Sequence, residues 1–350
     1  MDSQFGGGED IRFARRGRAG LVTLTRPSAF NALTHGMVRA LAAALAAWRD
    51  DDGIEAVVIR GEGRAFCAGG DLMAVYRGRE TGEPPYDFFA DEYRLNAAIA
   101  HFPKPYVALI DGIVMGGGVG VSMHGSHRVV TENAVMAMPE VGIGFFPDVG
   151  GSFILPRLKR GFGVYLGMTG ARVRWGDLLG SGLATHAVAS AALEAVVEAI
   201  AAGAGPDAAL AEASAEPPRE TPEDFLSLIG RIFDRADPSA MIEQLDAAAQ
   251  HGGTAAAGAR DAMLAASPTS LCVAARQLAA GAMLDIDECM VMEFRILSRM
   301  LAGHDFYEGI RAVIVDKDRK PKWRPARLAA VDPAAIEAYF APLGRRDLVL

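Results

Sequence analysis

The chain has 350 residues, enough for two domains or one large domain with an appendage. Apolar residues make up 51% and charged residues 22%, a globular balance that excludes disorder of the whole chain. Thirty-five Lys and Arg against 43 Asp and Glu leave a formal charge of −8, which excludes an overall positive field for nucleic acid or an anionic membrane; an anionic ligand needs a local cationic or dipolar site.

Residues 1–18 mix glycines and acids with four arginines and lack the apolar stretch of a secretory signal, so no export is expected. Three cysteines, Cys67, Cys272 and Cys289, are too few and odd in number for a disulfide framework, which points to a reducing compartment, taken as cytoplasmic. Residues 19–24 read as a strand running into Arg26-Pro27. Thr34 then stands where an N-cap would start a helix with Met37, Val38, Leu41, Leu45 and Trp48 at near-helical spacing. Residues 57–59 and 106–110 are unbroken apolar runs, the pattern of strands buried on both faces. Each runs into a glycine-rich turn, Phe66-Cys67-Ala68-Gly69-Gly70-Asp71 in the first case and Met115-Gly116-Gly117-Gly118 in the second, a weak internal duplication. The window 105–123 is the most lipid-like in the chain, but its five glycines and Asp111 fit a buried strand, turn and helix rather than a membrane span.

Strands are expected at 127–131 and 134–138, followed by an irregular glycine-rich stretch over 139–151. Helical patterns dominate beyond Ser152. Residues 201–223, rich in Ala, Gly, Pro and Glu with Leu210 as the only bulky core residue, read as a loosely packed connection. Over 225–299 apolar residues recur at three- and four-residue spacing, as in Leu271, Leu278, Met292, Ile296 and Met300. The expected organisation is an α/β core over 1–200 with the functional site, a connection over 201–223 and a mostly helical region over 224–350.

The two glycine turns share a chemical capacity. A strand end that opens into a helix leaves unpaired N–H groups at the positive end of the helix dipole, and glycine lets a ligand approach them closely. The N–H groups of Gly70 and Gly117 are thus candidates for a shared oxyanion hole, although either turn taken alone reads first as a tight turn needing positive φ. A second feature is the carboxylate pair Glu140, after Met138-Pro139, and Asp148, after Phe145-Phe146-Pro147. In apolar surroundings two neighbouring carboxylates titrate as a coupled pair, one acid and one base. The alternative for Asp148 is an N-cap of a helix over 149–158. His124 and His127 lack a third ligand at a metal-site interval, so no metal is expected. Cys67 adjoins the first turn without a base partner and reads as buried filler. His304-Asp305 reads as a helix cap or domain contact. The basic residues Lys317, Arg319, Lys320, Lys322 and Arg324 fit either phosphate binding or solvated surface.

The series 66–71, 115–120, Met138-Pro139-Glu140 and Phe146-Pro147-Asp148-Val149-Gly150-Gly151 resembles the crotonase (enoyl-CoA hydratase/isomerase) superfamily, and within it the branch that hydrolyses 3-hydroxyisobutyryl-CoA. Lys104-Pro105-Tyr106, Ser267-Pro268-Thr269-Ser270, Gly303-His304-Asp305-Phe306 and Asp316-Lys317-Asp318 support the resemblance, which covers about residues 22–343. It implies a crotonase-like spiral of ββα units with a helical C-terminal region. It implies an acyl-CoA thioester hydrolase that releases 3-hydroxyisobutyrate and free CoA in valine degradation, with no cofactor beyond the CoA of its substrate. Gly70 and Gly117 take the positions of the oxyanion donors, and Glu140 that of a catalytic glutamate, either nucleophile or general base. Asp148 and Glu92 take substrate-contacting positions, as do Gly117 and Glu140, while Arg64, Ala65, Ala68 and Asp71 flank the turn where family members touch CoA. The second glutamate of the hydratases is here Gly120, which implies a poor hydratase. A hydratase or isomerase acting on enoyl-CoA and a non-catalytic acyl-CoA-binding protein are the alternatives. No nucleic-acid or membrane partner is expected, and the apolar C-terminal helices are compatible with a homo-oligomer.

Overall fold

The computed structural model describes residues 5–234 and 236–350. Met1 to Gln4, at the start of the segment expected to lack an export signal, and Arg235, within the expected C-terminal region, lie outside them. The chain packs as two compact units, and they are not the linear division expected. One takes the residues up to Gly70, Asp91–Met136 and Val173–Glu220; the other takes Asp71–Ala90, Ala137–Arg172 and Thr221–Leu350. Composition reads contiguous stretches, whereas strand pairing gathers distant ones, so the two partitions differ.

The first unit holds two sheets. Strands β1 (Ile11–Arg16), β2 (Ala19–Leu24), β3 (Ala56–Gly61), β4 (Ala65–Cys67), β5 (Tyr106–Ile110), β6 (Ile113–Met115), β7 (His127–Val130), β8 (Val135–Ala137), β9 (Val173–Arg174) and β10 (His186–Ala187) follow in chain order. The larger sheet has the order β1-β2-β3-β5-β7-β10 and the smaller β4-β6-β8-β9. Each of the pairs β3/β4, β5/β6 and β7/β8 therefore sends its first strand to the larger sheet and its second to the smaller. That is the repeated unit which the two glycine turns betray in sequence.

β3 and β5 run parallel, and Val57, Val58, Ile59 and the whole of β5 are buried, as unbroken apolar runs require. One face packs Val58, Val107, Leu109 and Val129 against Val196, Val197 and Ile200 of the helix Leu193–Ala201. Thr34 caps the helix His35–Arg49, its Oγ1 accepting the Met37 N–H at 3.3 Å. β1 was not expected. Its arginines obscure an alternation in which Ile11 and Phe13 are buried, and it pairs antiparallel with β2.

The connection over 201–223 requires correction. It contains the helix Pro206–Ala211, whose Leu210 is fully buried in the core against the larger sheet. Its Glu220 carboxylate accepts the N–H groups of Gly176 and Asp177 at 3.3 and 2.8 Å. Short side chains there are packing, not slack: alanines let the helix lie close to the sheet.

The second unit is built of helices, among them Leu72–Thr81, Phe162–Thr169, Glu223–Ile232, Pro238–Gln250, Thr254–Ala265, Pro268–Gly281 and Ile286–Met300. Ser267 caps Pro268–Gly281 by accepting the Ser270 N–H at 3.2 Å. No helix among the described residues is long and apolar enough to cross a membrane.

Candidate active site

In the first unit, β4 and β6 are parallel neighbours, with Ala65 opposite Ile113 and Cys67 opposite Val114. Their C-terminal ends therefore deliver the two glycine turns side by side. Gly69 at φ 119° and Gly116 at φ 47° adopt left-handed backbone, which accounts for the first glycine of each turn. Gly117 is glycine for want of space: a Cβ there would stand 2.5 Å from Glu92 Oε1, 3.2 Å from Leu33 Cδ1 and 3.4 Å from Gly70 N. Gly70 and Gly117 are thus neighbours in space. Gly117 opens the helix Gly117–Met123, at its dipole's positive end, where the first N–H groups have no intrahelical acceptor. Two adjacent amide donors on rigid strand ends can hold one negative oxygen.

Glu92, on the helix Tyr86–Ala100, is 2% exposed and so is not a surface acid. Its neighbour Asp91 takes the solvent-side role, paired with His35 at 2.7 Å and Arg39 at 3.0 Å. The other residues that the resemblance sets beside CoA lie at and around the first turn. Arg64 is exposed with its guanidinium 4.5 Å from the Phe30 ring centre, and Ala68 donates its N–H to Phe30 O. Ala65 is buried with its carbonyl accepting from Asn31, which leaves its side chain inside the fold. Asp71, counted with the second unit, caps the helix Leu72–Thr81 by accepting the Ala74 N–H.

In the second unit, Glu140 heads a 3-10 turn (Glu140–Ile143) closed by Gly144, and is 5% exposed. Burial, and next the charge of Asp148, hold its carboxyl well above the usual carboxylate range. Its Oε2 is buried and has no hydrogen-bond partner, so one oxygen is left unsatisfied by the protein. Asp148 is likewise 5% exposed. It caps no helix over 149–158: the helix Gly151–Ile154 starts later, with Gly150 as its N-cap residue, because Val149 at φ 52° and Gly150 at φ 85° turn the chain left-handed first.

Sequence reasoning missed Glu293. It is fully buried, accepts from Gly150 N at 2.8 Å, Ser152 N at 3.0 Å and Ser152 Oγ, and burial pushes its carboxyl up to about 8. The signal was available: in Ile286–Met300, Glu293 stands four residues after buried Cys289 and three before buried Ile296, an acid inside the apolar stripe.

The other candidates sit as follows. Cys67 is buried and its thiol is pushed up to about 12 by burial, so it carries no thiolate and serves as filler. His127 pairs with Asp207 at 3.1 Å and stacks on His186, and among the described residues no group of three or more His, Cys, Asp or Glu could hold a metal. His304 precedes the helix Asp305–Ile310 without a side-chain cap bond. Asp305 instead accepts from Ser267 Oγ at 2.7 Å and from Arg324 N at 2.8 Å, tying the C-terminal strap to a helix start. Lys317, Arg319, Lys320, Lys322 and Arg324 are exposed.

A family model described as Enoyl-CoA hydratase/isomerase matches residues 19–340. The chain is 40% identical to the 3-hydroxyisobutyryl-CoA hydrolase, mitochondrial, of Danio rerio, over 98% of this chain and 92% of that protein. Among solved structures it is similar to a carnitinyl-CoA dehydratase from Mycobacterium thermoresistibile, with a TM-score of 0.92 and 43% identity over 98% of this chain and 99% of that one. An enoyl-CoA hydratase from Rhodobacter sphaeroides 2.4.1 gives a TM-score of 0.88 and 38% identity, over 97% of this chain and 100% of that one.

Proposed function

The chain belongs to the enoyl-CoA hydratase/isomerase family, and within it we propose a thioester hydrolase that cleaves 3-hydroxyisobutyryl-CoA to 3-hydroxyisobutyrate and free CoA. The observation that carries this reading is the buried pair Glu140 and Asp148, in which the charge of Asp148 adds to burial in raising the proton affinity of Glu140, with glycine at position 120. Adding water across an enoyl double bond calls for two groups to manage the water and the α-carbon proton, and Gly120 supplies no carboxyl. The two solved structures named as dehydratase and hydratase share the fold; the residue at 120 argues against carrying their activity over.

In the proposed reaction the N–H groups of Gly70 and Gly117 donate to the thioester oxygen. Each such donor contributes about 3–4 kcal/mol as charge builds on that oxygen. Ionised Glu140 attacks the acyl carbon to give a mixed anhydride, and the CoA sulfur departs with the electron pair of the broken bond and takes up a proton. Water then opens the anhydride and restores the carboxylate. The rival is Glu140 as general base for a single water attack. Its raised proton affinity and its unsatisfied Oε2 support either role. Asp148 binds the 3-hydroxyl or assists proton transfer, Glu92 contacts the acyl group, and Arg64, Ala65, Ala68 and Asp71 border the CoA. Free cysteines, two of them buried, support a reducing compartment; the word mitochondrial belongs to the relatives' names.

The test is thiol release from a panel of short acyl-CoA esters. Release should be fastest with 3-hydroxyisobutyryl-CoA and fall at least about 10³-fold in Glu140→Gln with the fold intact. Crotonyl-CoA hydration at a comparable rate would replace the hydrolase reading with the hydratase one.

A further inference from the structure

We infer that Glu293 is a positioning residue for Asp148: its buried carboxylate gathers the N–H groups of Gly150 and Ser152 and so fixes the left-handed turn on which Asp148 stands. The inference rests on the reading of Asp148 as a working carboxyl.

Three observations carry it. First, the turn is costly to hold. Val149 is β-branched and sits at φ 52°, a conformation such residues avoid, and Gly150 follows at φ 85°. Without restraint this segment would relax and re-aim the side chain before it. Second, the restraints converge from two helices distant in sequence. Glu293, on Ile286–Met300, takes Gly150 N, Ser152 N and Ser152 Oγ. Gln277, on Pro268–Gly281, donates its Nε2 to Pro147 O at 2.6 Å. The residues on both sides of Asp148 are thus pinned. Gly281 lets the second helix lie against this segment, since a Cβ there would stand 2.1 Å from Ser152 O.

Third, the turn presents two N–H groups and one hydroxyl to this side chain. The two carboxyl oxygens accept both N–H groups in either protonation state, and the Ser152 hydroxyl can donate to the carboxylate or accept from the protonated acid; a glutamine amide would set an N–H against one of the N–H groups. The three donors are neutral, and a fully buried acid held by neutral donors is an expensive choice if anchoring were its only task. The charge of Asp148 in turn adds to burial in raising the proton affinity of Glu293, so the two acids lie within electrostatic reach of each other.

The experiment is a double-mutant cycle on thiol release from 3-hydroxyisobutyryl-CoA, using the full chain. Glu293→Gln is expected to lower kcat about 10- to 100-fold while KM stays within about threefold, because the group acts through Asp148 rather than on bound substrate. In an Asp148→Asn background the same substitution should cost less than about twofold. Ser152→Ala removes one of the three donors, leaves both backbone bonds available, and should give a smaller kcat loss with the same dependence on Asp148; it serves the cycle if Glu293→Gln proves unstable. Equal fold-losses with and without Asp148, or a rise in KM at constant kcat, would overturn the inference. Wild-type turnover in Asp148→Asn overturns the Asp148 reading and this inference together; a slow Asp148→Asn beside a Glu293→Gln of normal rate overturns this inference alone.

Discussion

Replacing Gly117 with alanine probes the amide cradle directly. The added Cβ would stand 2.5 Å from Glu92 Oε1, where a carbon–oxygen contact settles at about 3.3 Å or more. Either Glu92 or the start of the helix Gly117–Met123 must yield by about 0.8 Å. Glu92 is 2% exposed and its carboxylate has little room to withdraw, so much of the shift falls on the backbone that carries the Gly117 N–H. The contacts at 3.2 Å to Leu33 Cδ1 and 3.4 Å to Gly70 N tighten the same space. A displacement near 1 Å of a positioned group costs about 10²-fold in rate, and outright loss of an oxyanion donor about 10²–10³-fold. Gly117→Ala is therefore expected to lose about 10²-fold in kcat, with about 1–3 kcal/mol of stability from overpacking. Thiol release from 3-hydroxyisobutyryl-CoA measures the first and urea unfolding the second. Gly258→Ala, in an exposed helical position with nothing within 4 Å, is the control and should keep wild-type turnover. A Gly117→Ala protein with kcat within threefold of wild type would refute the cradle.

Three further outcomes are expected. Removing the Asp148 charge lowers the proton affinity of Glu140, so in Asp148→Asn the acid limb of the kcat/KM profile moves to lower pH; an unmoved limb would deny the coupling. A single turnover in heavy-oxygen water should put label into Glu140, read by peptide mass spectrometry, if the carboxylate attacks and water then opens the anhydride at the Glu140 carbonyl carbon; base catalysis puts label only into the released acid. Glu293, with its carboxyl raised from 4.5 to about 8 by burial and lying near Asp148 and Cys289, binds more proton in the folded than in the unfolded state across that window. Its contribution to stability is therefore present below pH 4.5 and is lost as pH rises towards 8, by up to about 5 kcal/mol at ~1.4 kcal/mol per unit. Urea unfolding at pH 5 and pH 8.5 should show the fall, and Glu293→Gln should flatten it.

Much of the scaffold was legible because it rests on local pattern. The runs at 106–110 and 57–59, the Thr34 cap and the two glycine turns each state their structure within a few residues. β1 was hidden because arginines occupy the exposed half of its alternation. Leu210 was legible as a core residue, but the alanines around it disguised a packed helix. Glu92 and Asp91 show the limit at the site: adjacent acids on one helix, one buried beside Gly117 and one tied to His35, are separated only by the tertiary fold. Glu140 and Asp148 could be picked out as isolated acids, whereas the left-handed turn behind Asp148 depends on donors to Glu293, which lies 145 positions further along the chain.

That separation bears on how the chain is made. Both glycine turns have left the ribosome once Gly117 emerges, and the strands that align them precede it. The turn bearing Asp148 cannot be braced until Gln277 and Glu293 have been synthesised. At about 5–20 residues per second the interval between Gly117 and Glu293 is roughly 10–35 s. A nascent or truncated chain in that interval carries both glycine turns without the side chains that brace the turn bearing Asp148.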